Sequence, residues 1–244
     1  MGHRIALPEP TRNYDQDAEW FVIETTNGWR EIKFHDYAAI FEIPGLYEQL
    51  FYDTLCCDSP RFMCEFLAER LLEAGENPGR LRVLDLGAGN GIMGEELAKL
   101  GVDLAVAADI LPEAAEAAKR DRPEVYRDYH VLDLTALTAE QRGSLREYRF
   151  NALTCIAAVG FGDIPPECYR AAYNLVEDGG WIVLNIKKDF LTDEDPSGFA
   201  ALLRDAVHHN ALEVAGSRVY QHRLATNREP LHYTGFIGRK RADL

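Results

Sequence analysis

The chain has 244 residues, 47% of them hydrophobic, and a formal net charge of −14. That length supports one substantial core with an appendage, and that charge excludes a general footprint for nucleic acid or anionic lipid, because each phosphate contact would form against net repulsion. No apolar run reaches the ~18 residues of a spanning helix and residues 1–10 hold no signal-peptide hydrophobic stretch, so a cytoplasmic protein with no membrane and no nucleic-acid partner is expected.

Residues 20–25 and 29–34 are strand-like runs flanking Thr26-Asn27-Gly28, which predicts a hairpin with a type I′ turn at Asn27-Gly28. His35-Asp36-Tyr37-Ala38-Ala39-Ile40-Phe41 follows, then a break at Pro44-Gly45, then Leu46 to Tyr52 with aromatic and apolar residues at helical spacing. Ser59 as N-cap and Pro60 as first helical residue open a helix with Phe62, Met63, Phe66, Leu67 and Leu71 on one face, stopped at Gly75. The aromatic density from about residue 14 to 55 fits either a flat or apolar ligand held beneath it or a simple cover for one sheet edge. The five cysteines, Cys56, Cys57, Cys64, Cys155 and Cys168, are odd in number and lack C-x-x-C spacing, so neither a disulfide framework nor a metal site is expected.

From Arg80 the pattern alternates strand and helix, which predicts a parallel sheet flanked by helices. Val83-Leu84-Asp85-Leu86-Gly87-Ala88-Gly89-Asn90-Gly91, running into Ile92-Met93, describes a strand, a tight glycine turn and a helix start. A dinucleotide loop spaces its glycines G-x-G-x-x-G; here the third comes one residue early, at Gly91, and Asp85 before the turn would repel a phosphate and draw a cation. The second strand, 104–108, ends at Asp109-Ile110, about twenty residues beyond the loop, where a carboxylate accepts bonds from a ribose diol. The third strand, 129–132, ends at Asp133-Leu134. Thr138 and Gln141 form a capping box, and residues 150–159 read as one long apolar strand. Its exit, Gly160-Phe161-Gly162-Asp163-Ile164-Pro165-Pro166, lies at the sheet's switch point, where ligands sit. Gly160 permits close backbone approach, and Asp163 either aims into the site or caps the helix over 165–175. After Asp178-Gly179-Gly180 come a strand at 181–186, a helix beginning at Ser197, and two further strands at 217–224 and 231–238.

These motifs, over residues 80–239, resemble those of class I S-adenosylmethionine-dependent methyltransferases, and the Gly160-to-Pro165 loop is loosely similar to the group related to the Williams–Beuren region protein. The resemblance implies an α/β class: a Rossmann-like seven-stranded sheet, parallel with a C-terminal antiparallel hairpin, flanked by helices and preceded by an N-terminal hairpin and helical cap. Residues 1–75 would form the cap segment and 76–244 the cofactor-binding domain. It implies S-adenosyl-L-methionine as cofactor and S-adenosyl-L-homocysteine as product, held by Asp85, Gly87, Ala88, Gly89 and Gly91 at the loop, with Asp109 on the ribose. Ile110 would lie on the adenine face, Asp133 on its amino group, the Leu134 N–H on a ring nitrogen, and Gly160 near the methyl. His35-Asp36-Tyr37-Ala38-Ala39 is similar to the Tyr-Asp-x-x-Ala segment that closes over the methionyl end in small-molecule methyltransferases, with His at the first position; Tyr37 is assigned to the cofactor on that ground.

The implied reaction is in-line displacement of a methyl group onto an oxygen or nitrogen of a small-molecule acceptor, in which orientation contributes up to ~7–11 kcal/mol and a general base about 10²- to 10⁴-fold. His35, Asp36 and Asp163 lead as that base. The loop lacks the Asn-Pro-Pro-Tyr of many amino-directed nucleic-acid methyltransferases. Two alternatives stand beside this reading: a catalytically silent protein of the same fold that binds the cofactor or a partner, and a nicotinamide-dependent oxidoreductase, against which the glycine spacing argues. A homo-oligomer and a basic protein partner are compatible with the composition.

Overall fold

The computed structural model describes residues 2–9, 16–159, 162–188 and 197–244; the expected site residue Gly160, with Phe161, lies outside them. Seven strands make the main sheet: β4 (Arg82–Leu86), β5 (Leu104–Asp109), β6 (Asp128–Val131), β7 (Ala152–Cys155), β8 (Trp181–Lys187), β9 (Leu212–Leu224) and β10 (Pro230–Lys240). The three strands preceding them, β1 (Ile5–Ala6), β2 (Trp20–Thr25) and β3 (Gly28–Lys33), form a separate antiparallel sheet. The large sheet runs β6-β5-β4-β7-β8-β10-β9, with β10 antiparallel to both its neighbours and the first five strands parallel. This is the sheet expected from the sequence.

Period-two alternation gives that sheet two apolar faces. Val83, Ala105, Ala152 and Val183 turn to one side, against Met63 and Leu67 of α2 (Ser59–Ala74) and Leu97 of α3 (Ile92–Leu100). Leu84, Val106, Leu153 and Ile182 turn to the other, where Tyr169 and Tyr173 of α6 (Pro166–Tyr173) and Phe199 of α7 (Phe199–His208) cover them. The remaining helices are α1 (Tyr37–Phe41), α4 (Pro112–Asp121) and α5 (Ala139–Glu147), the last opened by the expected Thr138–Gln141 capping box.

The N-terminal strands, α1 and a π-helical stretch, Glu48–Thr54, enclose a core of their own around Phe21, Ile32, Phe34, Ile40 and Leu50. This cap is fastened to β9 and its turn by buried polar contacts. Glu19, 1% exposed, pairs with Arg223, 3% exposed, and also accepts the Thr226 N–H at 2.6 Å. The Leu224 N–H meets the Leu55 carbonyl at 2.7 Å, and the Asp58 N–H meets that of His222 at 3.0 Å. Among the described residues no helix is long and apolar enough to cross a membrane.

Three local expectations are corrected. The hairpin turn is Thr26-Asn27, with Thr25 opposite Gly28, and of these four only Gly28 takes a positive φ (106°), so the strands are closed one residue earlier than a type I′ turn at Asn27-Gly28 requires. Asp58, not Ser59, is the N-cap residue of α2, because the Ser59 hydroxyl is drawn inward to Tyr220 (2.6 Å) and His222 (2.7 Å). The strand expected over 150–159 stops at Cys155, because Ala157 turns into the left-handed region (φ 59°) and its N–H leaves the ladder for Asn185 Oδ1 at 2.6 Å.

Candidate functional site

A cavity of about 440 Å³ opens at the carboxyl ends of β4, β5 and β7, between the sheet and the cap. Its volume falls in the range of small-molecule sites, about 300–1,000 Å³. The floor is the glycine turn. Gly87 has φ 69°, and a Cβ there would lie 2.8 Å from Ile164 Cδ1 and 3.0 Å from the Ala158 methyl; Gly89 has φ 54°, and its Cβ would lie 3.2 Å from Phe41 Cζ. Glycine is therefore required at both positions by conformation and by space. Gly91 (φ 88°) is the N-cap of α3 and, like Ala88, is not part of the cavity wall.

Asp109, at the end of β5, lines the cavity and ties the turn to its own strand. Its Oδ2 accepts the Gly89 N–H and its Oδ1 the Leu111 N–H, each at 3.0 Å, and burial pushes its carboxyl above the ordinary range. Ile110, 59% exposed, projects beside it into the mouth of the cavity. Asp133 also lines the wall; its Oδ1 accepts from the Thr135 N–H (2.8 Å) and hydroxyl (2.7 Å), which holds its pKa below the usual carboxylate value. Leu132, Leu134, Pro165 and Cys168 complete an apolar pouch around these two acids.

Asp85 sits elsewhere. It is 1% exposed, below the turn, with Oδ1 accepting from the Thr154 hydroxyl (2.6 Å) and Oδ2 from the Tyr126 hydroxyl (2.5 Å). Burial pushes its pKa up to about 6 against those two bonds, which lower it. This acid anchors the turn from beneath; Tyr126 also accepts the Gly94 N–H at 3.1 Å, joining α3 to the same network.

On the acceptor side, His35 and Asp163 meet across 128 positions of sequence, with His35 Nδ1 2.8 Å from Asp163 Oδ2, and both line the cavity. Asp163 does not cap α6, which begins after Pro165 with no side-chain cap. Asp36, expected beside His35 as a base, caps α1 instead, its Oδ1 accepting the Ala39 N–H at 3.3 Å, and it is not part of the wall. Tyr37 lines the cavity with its ring edge-on to His35, centroids 5.7 Å apart.

Several contributors were not singled out as site residues from the sequence. Phe41 and Tyr47 line the cavity because the cap folds over it. Glu48 accepts from Asn90 Nδ2 (2.7 Å) and Arg122 (2.8 Å), stapling the π-helical stretch to the glycine turn. Asn185, fully buried, holds Ala157 at the cavity wall while donating to Ser59 and Tyr220. A polar residue inside the otherwise apolar strand run from Trp181 to Ile186 is the signal by which Asn185 could have been found.

A cavity at the switch point of a mostly parallel seven-stranded sheet, with a glycine turn and an acid at the next strand end, defines the class of nucleotide-binding α/β proteins. Within that class the chain belongs to the methyltransferase-domain family, whose model matches residues 58–228. It is 31% identical over 159 residues to the ubiquinone biosynthesis O-methyltransferase of Xanthomonas axonopodis pv. citri, covering 64% of this chain and 60% of that one. The same-named protein of Xanthomonas campestris pv. campestris is 32% identical over 142 residues, 57% of this chain and 55% of its own. The chain thus matches these curated relatives over only about 60% of their length or less. Among solved structures, an S-adenosylmethionine-dependent methyltransferase from Clostridium acetobutylicum superposes with a TM-score of 0.54 at 13% identity, over 81% of this chain and 97% of that one. Magnesium protoporphyrin IX methyltransferase from Synechocystis, with bound S-adenosylhomocysteine, gives 0.51 at 16% identity, over 73% and 82%. At these identities the likeness is one of fold.

Proposed function

We propose that the protein is an S-adenosylmethionine-dependent methyltransferase acting on a small-molecule hydroxyl. The observation that carries this reading is the single cavity wall that joins the glycine turn and Asp109 to the His35–Asp163 pair, so that a nucleoside site and a proton-accepting site share one space. The residues suit the cofactor. Each Asp109 oxygen already takes one backbone N–H and keeps a second lone pair for a ribose hydroxyl. The Asp133 Oδ2 is the natural acceptor for an adenine amino group, and Ile110, Leu132 and Leu134 offer apolar faces to the ring. The bound cofactor supplies a methyl group on a good leaving group, so the protein's work is orientation and proton handling.

His35 does the second. Its Nδ1, bonded to Asp163, carries the ring proton of the neutral tautomer, which makes Nε2 the basic nitrogen. Nε2 accepts the acceptor hydroxyl's proton as the oxygen becomes a nucleophile, and the Asp163 carboxylate stabilises the imidazolium that results. Oxygen is favoured over nitrogen by this pair and by the O-methylation named for the curated relatives. A small-molecule acceptor and a cytoplasmic location accord with the cavity's size and with the expectations from composition.

The test is turnover. The purified protein, given S-adenosylmethionine and a panel of phenols, alcohols and amines, should release S-adenosylhomocysteine with a hydroxyl acceptor. His35→Gln should lower kcat by about 10²-fold or more with cofactor affinity unchanged by calorimetry. Turnover unaffected by this change would remove His35 as the base; no cofactor binding at all would overturn the reading.

A further inference from the structure

We propose that Tyr37, Phe41 and Tyr47 form an aromatic cage for a sulfonium cation, and that the cage lets the protein tell the charged methyl donor from the neutral thioether it becomes. This rests on the methyltransferase reading above. The three rings all line the cavity. Tyr37 and Phe41 lie near parallel, at 25° with centroids 6.2 Å apart, and Phe41 and Tyr47 stand 5.0 Å apart at 35°. Phe51 backs the group, 4.9 Å from Tyr47 and 6.4 Å from Tyr37, and is itself held edge-on by Phe34 at 5.5 Å. The rings are thus fixed by the cap's own core. Phe41 reaches down to the glycine turn, its Cζ 3.2 Å from where a Gly89 side chain would begin.

The need for such a cage follows from where the acids are. A sulfonium brought to the glycine turn must be stabilised by something, and Asp85, which the sequence offered for this, is 1% exposed with each oxygen bonded to a hydroxyl. Asp109 gives one lone pair of each oxygen to a backbone N–H and, in the reading above, the other to the ribose. What the cavity does present next to Gly89 is the Phe41 ring, flanked by those of Tyr37 and Tyr47, and an aromatic face attracts a cation through its quadrupole, most strongly when water is excluded. Burial keeps Tyr37 and Tyr47 in the neutral phenol form by pushing their pKa values up, so the cage works unchanged across physiological pH. A neutral thioether of nearly the same shape gains packing from these rings but none of the charge attraction.

The experiment is calorimetry of S-adenosylmethionine and S-adenosylhomocysteine against the wild-type chain and Phe41→Leu, Tyr47→Leu and Tyr47→Phe. Each leucine variant should bind S-adenosylmethionine about tenfold more weakly and S-adenosylhomocysteine within about twofold of wild type. Tyr47→Phe, which keeps the ring, should leave both affinities in place. If Phe41→Leu fails to fold, the two Tyr47 variants decide the matter alone. Equal weakening of both ligands would overturn the cage and leave the methyltransferase reading standing. Failure of the wild-type chain to bind either ligand would overturn that reading and the cage with it.

Discussion

Two carboxylates flank the glycine turn, and their surroundings set them to different work. Asp85 is sealed under it, and burial raises its pKa from 3.8 to about 6. Between those two values the folded chain holds a proton that the unfolded chain has lost, so this group's contribution to stability falls as pH rises through the window and is fully adverse above it. Asp85→Asn should remove that slope: urea midpoints from pH 4 to pH 7 should show the wild-type stability declining relative to the variant by roughly 2 kcal/mol. Asp109 faces the cavity and bridges Gly89 to Leu111, so its loss frees the turn and deletes an acceptor for the ribose together. Asp109→Ala should weaken S-adenosylmethionine by about 10- to 100-fold, the scale of hydrogen bonds to a charged group; calorimetry reading wild-type affinity would refute the ribose role.

At the scale of elements, the glycine turn is the most constrained piece of the chain. Gly87→Ala asks a side chain to adopt φ 69° and to enter space 2.8 Å from Ile164 Cδ1. The first costs about 1–2 kcal/mol, the second depends on whether Ile164 can give way. The variant should lose about 2–3 kcal/mol of stability, and Gly87→Ala with Ile164→Ala should recover the steric part relative to Ile164→Ala alone, by thermal melts of the double-mutant cycle. This turn was legible in the sequence, as were the parallel strands, the acids at their ends and the closing antiparallel pair, because each rests on local signals: period-two burial, glycine spacing, an acid at a strand end. What was not legible depends on long-range partners. Residues 150–159 are apolar throughout, and nothing local says that Ala157 turns aside to meet Asn185. His35 and Asp36 are neighbours of equal chemical promise; only the start of α1, which takes Asp36 as its cap, and the approach of Asp163 from 128 residues away separate them. The aromatic segment allowed both a ligand and a mere cover, and the fold assigns Tyr37, Phe41 and Tyr47 to the cavity while Phe21, Phe34 and Phe51 fill the cap.

At the scale of the molecule, the cap and the main sheet have separate apolar cores joined along a polar seam, and the division of the chain proposed at residues 1–75 and 76–244 turns on how strongly that seam holds. Helix α2 packs within the sheet's core cluster, so the cap's own packing ends near Leu55. The seam's centre is the buried pair of Glu19 and Arg223, with the guanidinium also 5.3 Å from the Phe34 ring centroid. Removing one member of a buried pair strands the other charge and costs about 3–5 kcal/mol. Glu19→Ala should therefore act on the docking of the cap before it acts on the sheet. Native-state hydrogen exchange should show β2 and β3 amides losing protection by about that amount while β4 and β5 amides keep theirs, and S-adenosylmethionine affinity should fall with it, since the cap carries Tyr37, Phe41 and Tyr47. Equal loss of protection in all four strands would mean that cap and sheet open as one cooperative unit.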